Sequence, residues 1–279
     1  MSKAIISVAT TGSRTSREQT PHVPISPEEI AEQAIASWRE GASVVHIHVR
    51  DDEGNVTCDL DRYQRVKELI RQDPECDIII NLSTGGGAGR FSEDDRMNAV
   101  RAYPEIASYD CGSINFGDGV FVNSPKFLEE LAREMKEYGV KPEIECFDTG
   151  MIENAKRIID MGLIEPPYWF QFVLGVRGGA PATPDHLALM VNQLPENSYW
   201  SVCAIGRYQL PMNGMAIAMG GSPRTGLEDN IYYRYRELAE SNQQLVARVA
   251  RLCNEMERPI ATPAEAREML GLPPFNKQA

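Results

Sequence analysis

Two histidines, His46 and His48, stand two residues apart inside the apolar run Val44-Val45-His46-Ile47-His48-Val49. The run is β-branched on both sides of them, so it reads as a buried strand. Residues two apart on a strand share a face, about 6–7 Å apart along the chain. Both imidazoles therefore point to one side, and neutral imidazole is the commonest metal ligand. Two core histidines bonded to their neighbours are the alternative, and the pair alone does not choose. A catalytic zinc takes about three protein ligands and keeps one position open. The chain has only 4 histidines. His22 falls in a loop and His186 at a helix start, so a carboxylate is expected as the third ligand. Glu228 is the candidate, because in a closed barrel its strand lies one strand from the histidines, across the first. Glu228-Asp229 as a solvated loop pair is the competing reading.

The elements that must position these groups alternate along the chain. Strand-like runs occupy residues 4–10, 44–50, 78–83, 106–110, 141–148, 168–175, 198–206 and 221–229. Helical patterns separate them. The first opens with Ser26, Pro27 and Glu29, a capping box with proline at the first turn, and Gly41 closes it. Further helices are expected at 60–72, after Ser92, after Ser124-Pro125, at 151–161, after Thr183-Pro184, at 209–219, from Ser241 to about 257, and after Thr262-Pro263. Strict β/α alternation predicts a parallel sheet with helical crossovers. Eight units in 279 residues favour a closed α/β (β/α)8 TIM barrel over an open sheet. No Gly-x-Gly-x-x-Gly follows the first strand, which weakens a dinucleotide-binding reading. Residues 1–279 form one barrel domain, with a helical extension from about 258.

Composition narrows the partners. A net charge of −12 argues against nucleic acid, which needs a basic face. No apolar run reaches the about 20 residues that span a bilayer, and no signal peptide opens the chain. The 6 cysteines are scattered without a Cys-x-x-Cys pair. They are expected to be reduced and mostly buried, which fits the cytoplasm. The reactive face of such a barrel lies at the C-terminal strand ends. There the sequence offers His46 and His48, Ser83, the same-face pair Glu143 and Glu145, Arg224, Glu228 and Asp229.

In order and spacing, the segments HIHVRD (46–51), NLSTGGG (81–87), YDCGSINFG (109–117), KPEIECFD (141–148), WSVCAIGR (200–207), RTGLEDN (224–230) and ATPAEAR (261–267) resemble the β-keto acid cleavage enzymes over nearly the whole chain. The resemblance implies a (β/α)8 barrel that binds a divalent metal, usually Zn2+. It implies condensation of a β-keto acid with acetyl-CoA, giving acetoacetate and a new acyl-CoA. His46, His48 and Glu228 would hold the metal, and Ser83, Ser108, Glu143, Arg224 and Asp229 would line the reacting centre. A metal-polarised ketone attacked by the acetyl-CoA carbon needs an enolate, hence a base, for which Asp229 is the candidate. Arg224 would hold Asp229 or steady oxyanion charge. Ser83 and the amides of Thr84-Gly85-Gly86 would donate to a thioester oxygen, and Glu143 would orient Ser83 or Arg224.

Two positions depart from that family. Ser222-Pro223 stand where many relatives have His-Val, and proline removes a strand donor. Arg14 stands where relatives acting on amino-substituted substrates can carry an acid. A guanidinium there predicts an anionic distal group, such as a keto diacid; an arginine turned to solvent is the alternative. The resemblance also implies a homo-oligomer, often a tetramer. The rival functions are a zinc hydrolase, a metal-dependent aldolase and a barrel with a structural metal.

Overall fold

Eight parallel strands close into a barrel in the computed structural model, which describes residues 2–276; Met1 and residues 277–279, the end of the polar tail, lie outside them. The strands are β1 (Ser7–Ala9), β2 (Val44–Ile47), β3 (Ile79–Leu82), β4 (Ile106–Asp110), β5 (Lys141–Cys146), β6 (Tyr168–Leu174), β7 (Ser198–Ala204) and β8 (Ser222–Thr225). Each pairs with its neighbours in sequence, and β8 returns to β1 through Ser7↔Arg224. The ring helices are α1 (Pro27–Arg39), α2 (Leu60–Gln72), α3 (Glu93–Arg101), α4 (Pro125–Tyr138), α5 (Thr149–Asp160), α6 (Pro184–Val191), α7 (Gln209–Met219) and α8 (Asn242–Glu255). A further helix, α9 (Pro263–Leu270), follows them. No described helix is long and apolar enough to cross a membrane.

Local chemistry sets these boundaries. At the start of α1, Ser26 Oγ accepts from Glu29 N at 3.2 Å, and Glu29 Oε2 accepts from Ser26 N at 3.0 Å. The same reciprocal box starts α3 at Ser92 and α9 at Thr262. Outward strand residues such as Val45, Ile47 and Ile80 pack beneath Ile30, Val66 and Ile70 of the helices. Each such aliphatic side chain contributes about 1.5–3 kcal/mol on full burial. The floor of the barrel is apolar: Ile5, Val44, Ile79, Ile106 and Trp169 meet Ala266 and Leu270 of α9. Polar groups are thereby displaced toward the opposite, C-terminal end.

Three features differ from the sequence reading. β2 ends at Ile47, so His48 sits just past the strand; Val49–Arg50 instead pairs antiparallel with Val56–Thr57. The segment 111–117, outside every strand-like run of the sequence, enters a hairpin, Ile114–Phe116 against Gly119–Phe121. β8 stops at Thr225, and Glu228 and Asp229 come from the turn after it. Pro223 is accommodated inside β8 opposite Val202 of β7, while the Ser222 hydroxyl accepts from Ile5 N at 3.1 Å.

Candidate active site

The turn that carries Glu228 exists because two glycines yield space. Gly226 has φ +132°, and a Cβ there would fall on the Ala9 carbonyl. Gly12 has φ +66°, and a Cβ there would lie 2.5 Å from Glu228 Cγ. Glu228 can therefore fold back over the end of β1 toward His46 of β2 and His48 just beyond it. His48 Nε2 lies 3.4 Å and His46 Nε2 3.8 Å from Glu228 Oε1. The two ring centroids are 5.2 Å apart. All three ligand atoms fall within 4.8 Å of one another.

This donor set fits a divalent cation. Two imidazole nitrogens and one carboxylate oxygen face a cavity, as in catalytic zinc sites with an open position. Burial, with the Arg224 charge, pushes His46 well below the usual imidazole value and keeps it neutral, the ligating form. Burial lifts the Glu228 carboxyl, but the His48 and Arg224 charges outweigh it and hold Glu228 below the usual range, ionised. Glu228 Oε2 is buried without a hydrogen-bond partner among the described residues. Glu145, Glu228 and Asp229 surround the Arg224 guanidinium, which leaves Glu228 Oε1 shared between that cation and the two histidines.

Arg224 organises the carboxylates. Its Nε donates to Asp229 Oδ2 at 2.9 Å and its Nη2 to Asp229 Oδ1 at 3.1 Å, a two-pronged grip. Nη2 also donates to Glu228 Oε1 at 2.9 Å, and Nη1 lies 3.7 Å from Glu145 Oε1. Burial raises Asp229 above the ordinary carboxylate range against the pull of Arg224. A base of that kind takes a carbon-bound proton more readily than an ordinary carboxylate does.

A cavity of about 370 Å³ opens over this centre. His46, His48, Ser83, Gly85, Ser108 and Arg14 line it, together with Arg224, Glu228 and Asp229. Thr84 and Gly86 are not among its lining residues. Thr84 is fully buried and braces Ser108, its amide donating to Ser108 Oγ and its hydroxyl to Ser108 O, both at 2.9 Å. Gly86 backs onto Arg96 and Cys58. The Gly85 amide is spent on Ser83 Oγ at 3.1 Å. The Ser83 hydroxyl, rather than the Thr84 and Gly85 amides, remains free to donate into the cavity.

Glu143 also differs from its expected role. It accepts from Asn81 Nδ2 at 2.6 Å, Trp169 Nε1 at 2.9 Å and Gln171 Nε2 at 3.2 Å, and not from Ser83 or Arg224. Its Oε2 lies 3.8 Å from His46 Nδ1, the face of the ring turned away from Glu228. That separation is beyond hydrogen-bond reach, and His46 Nδ1 has no hydrogen-bond partner among the described residues. Sequence reasoning passed over Asp110, which is 5% exposed, lines the cavity and sits beside Glu145 in register. Burial pushes its carboxyl up to about 6, against the Arg96 and His48 charges. Its position two residues beyond Ser108 on one strand face was the available signal. Arg177, another lining residue, lay in a glycine turn with no periodicity to mark it.

Fold and site together define a (β/α)8-barrel enzyme whose carboxylate–imidazole centre opens at the C-terminal strand ends. The family model for the beta-keto acid cleavage enzyme matches residues 3–272. The 3-keto-5-aminohexanoate cleavage enzyme of Fusobacterium nucleatum is 44% identical over 274 residues, covering 98% of this chain and 99% of that one. The 3-oxoadipate:acetyl-CoA acetyltransferase of Cupriavidus necator is 42% identical over 272 residues, covering 96% of this chain and 95% of that one. Among solved structures, ligand-free ObcA shares the fold with TM-score 0.78 at 24% identity, across 90% of this chain and 66% of ObcA. The chain belongs to the β-keto acid cleavage enzyme family.

Proposed function

We propose that the protein condenses a β-keto acid with acetyl-CoA, releasing acetoacetate and the acyl-CoA of the substrate's remaining end. The observation that carries the reading is the convergence of His46 Nε2 and His48 Nε2 on Glu228 Oε1, beside the Arg224–Asp229 grip. His46, His48 and Glu228 would hold a divalent metal, with zinc favoured by histidine plus carboxylate. When bound, that metal supplies Lewis acidity to the keto and carboxylate oxygens of the substrate.

Atom balance fixes where the base acts. An acetyl-CoA enolate attacking the ketone, the order expected from residue types, would join the acetyl methyl to the keto carbon and could not give acetoacetate. The enolate must form on the keto acid. Asp229 takes a proton from its C2, and C2 then bonds to the acetyl carbonyl carbon as CoA thiolate leaves. The thiolate adds to C3, the C2–C3 bond breaks, and C2 recovers the proton from Asp229. Arg224 keeps the Asp229 carboxylate aimed throughout, and the Ser83 hydroxyl donates to the thioester oxygen. Ser108, braced by Thr84, lines the same wall.

Arg14 faces the cavity and has no hydrogen bond or ion pair among the described residues, which supports an anionic distal group such as that of a keto diacid. A cytoplasmic setting is supported by six buried free thiols; a homotetramer rests on the family resemblance alone. The test is incubation with acetyl-CoA and a panel of β-keto acids, with mass detection of acyl-CoA and acetoacetate. Coupled appearance of both supports the reading. Keto acid breakdown without any need for CoA would point to an aldolase or hydrolase and overturn it.

A further inference from the structure

The guanidinium of Arg14 is held without being neutralised. Its Cζ lies 5.0 Å from the centroid of the Phe116 ring, over the ring face. On the same hairpin, Gly117 has φ +63°, and a Cβ there would lie 2.6 Å from Arg14 Nη2. An aromatic face and a bare glycine therefore make a shelf that fits one placement of the guanidinium. A ring face attracts the cation without using its N–H donors, so they remain available to a ligand.

The shelf is itself fixed. Phe116 meets Phe121 and Phe147 edge to face, with centroids 6.5 Å and 6.4 Å apart. Gly178 lets the chain after β6 close onto Asn115, where a Cβ would collide with the Asn115 carbonyl. From the other side, Thr15 Oγ1 donates to Leu227 O at 3.1 Å, and Arg50 Nη2 donates to Thr15 O at 3.0 Å. The loop that carries Arg14 and the hairpin that receives it are thus anchored independently, and they meet at the guanidinium.

We infer that the hairpin Ile114–Phe121 is a specificity element: Phe116 and Gly117 position Arg14 as a receptor for the distal carboxylate of a keto diacid. The inference rests on the reading of Arg14 given above, and adds that the preference is set by residues on a different barrel segment. Arg14 is the binding group, and Phe116 and Gly117 are positioning residues. A misplaced guanidinium loses the fork geometry that matches a carboxylate.

The test compares a six-carbon keto diacid with the neutral keto acid of equal length, both with acetyl-CoA. The readout is the ratio of their kcat/KM values in wild type, Arg14→Ala, Gly117→Ala, Phe116→Leu and Phe116→Tyr. The ratio is expected to favour the diacid in wild type. It should fall about tenfold or more in Arg14→Ala, Gly117→Ala and Phe116→Leu, the size of a lost charge-assisted bond. Phe116→Tyr keeps an aromatic face and should retain the wild-type ratio. If the wild type shows no diacid preference, or Arg14→Ala keeps it, the reading of Arg14 fails and the inference with it. If Arg14→Ala abolishes the preference while Gly117→Ala and Phe116→Leu keep it, the inference alone is overturned. Equal losses on both substrates in the hairpin variants would show a merely structural hairpin and overturn it as well.

Discussion

Replacing Arg224 with methionine should injure stability and activity together, and the structure gives the scale of both. The side chain is 3% exposed and bonds Asp229 at 2.9 and 3.1 Å and Glu228 at 2.9 Å. Methionine keeps the apolar stem but removes the only guanidinium those carboxylates bond among the described residues. Breaking a buried ion pair by deleting one partner costs about 3–5 kcal/mol. At about 2–4 °C per kcal/mol for chains near this size, the melting temperature should fall by about 6–20 °C. Asp229, no longer aimed, should lose the about 10²–10⁴-fold that a positioned base supplies. Asp229→Asn removes the other partner. In a double-mutant cycle the two changes should couple by about 1–3 kcal/mol, because the second finds no charge left to strand. The measurements are thermal and denaturant melts of metal-stripped protein at pH 7 and acyl-CoA formation by mass detection. A methionine variant that melts within about 2 °C of wild type, with strictly additive single effects, would refute the view that Arg224 holds the carboxylates.

Two further outcomes follow from the same centre. Purified wild type should carry a divalent metal that Glu228→Gln and His46→Ala lose, and a chelator should lower the melting temperature of wild type only. A ligand present at about 1,000 times its Kd adds about 4 kcal/mol, so equal melting with and without chelator would remove the metal assignment. Asp110 makes stability depend on pH. Its carboxyl titrates at about 6 when folded, against about 3.9 unfolded, so the native state binds more protons between those values. Stability contributed by this group therefore falls as pH rises from about 4 to 6, by about 3 kcal/mol in all. In metal-stripped protein, Asp110→Asn should be the more stable form at pH 8 and nearly level with wild type at pH 4. An advantage that does not change with pH would contradict the assignment.

Much of this architecture is legible in the chain because local signals agree. Ser26-Pro27-Glu29 and Thr262-Pro263 mark helix starts by capping chemistry, and the structure shows both caps formed. Period-two spacing places Glu143 and Glu145 on one face, and both are buried inside the barrel. What the spacing does not carry is partnership across the ring. Glu143 pairs with Asn81, Trp169 and Gln171 because β3, β5 and β6 align at that height, a property of register. Strand ends are equally hidden: His48 lies past β2, yet its apolar neighbours continue the strand pattern. A glycine-rich turn shows that the chain bends, not which way its amides point. Thr84 and Gly86 therefore turn away from the cavity that Ser83 and Gly85 line.

The hydroxyl of Thr15, bonded to Leu227 O at 3.1 Å and Glu228 O at 3.4 Å, leaves a longer shadow than its size suggests. It ties the tether of Arg14 to the backbone that carries the Glu228 carboxylate. The two ends of the cavity, at positions 14 and 228, are thus spliced together through one backbone contact. Lengthening or shortening the stretch between Gly12 and Thr15 would drag both at once, whereas exchanging a single side chain at position 14 would disturb only one. A change of preference at that end is accordingly expected from exchanges at position 14 and not from grafted loops.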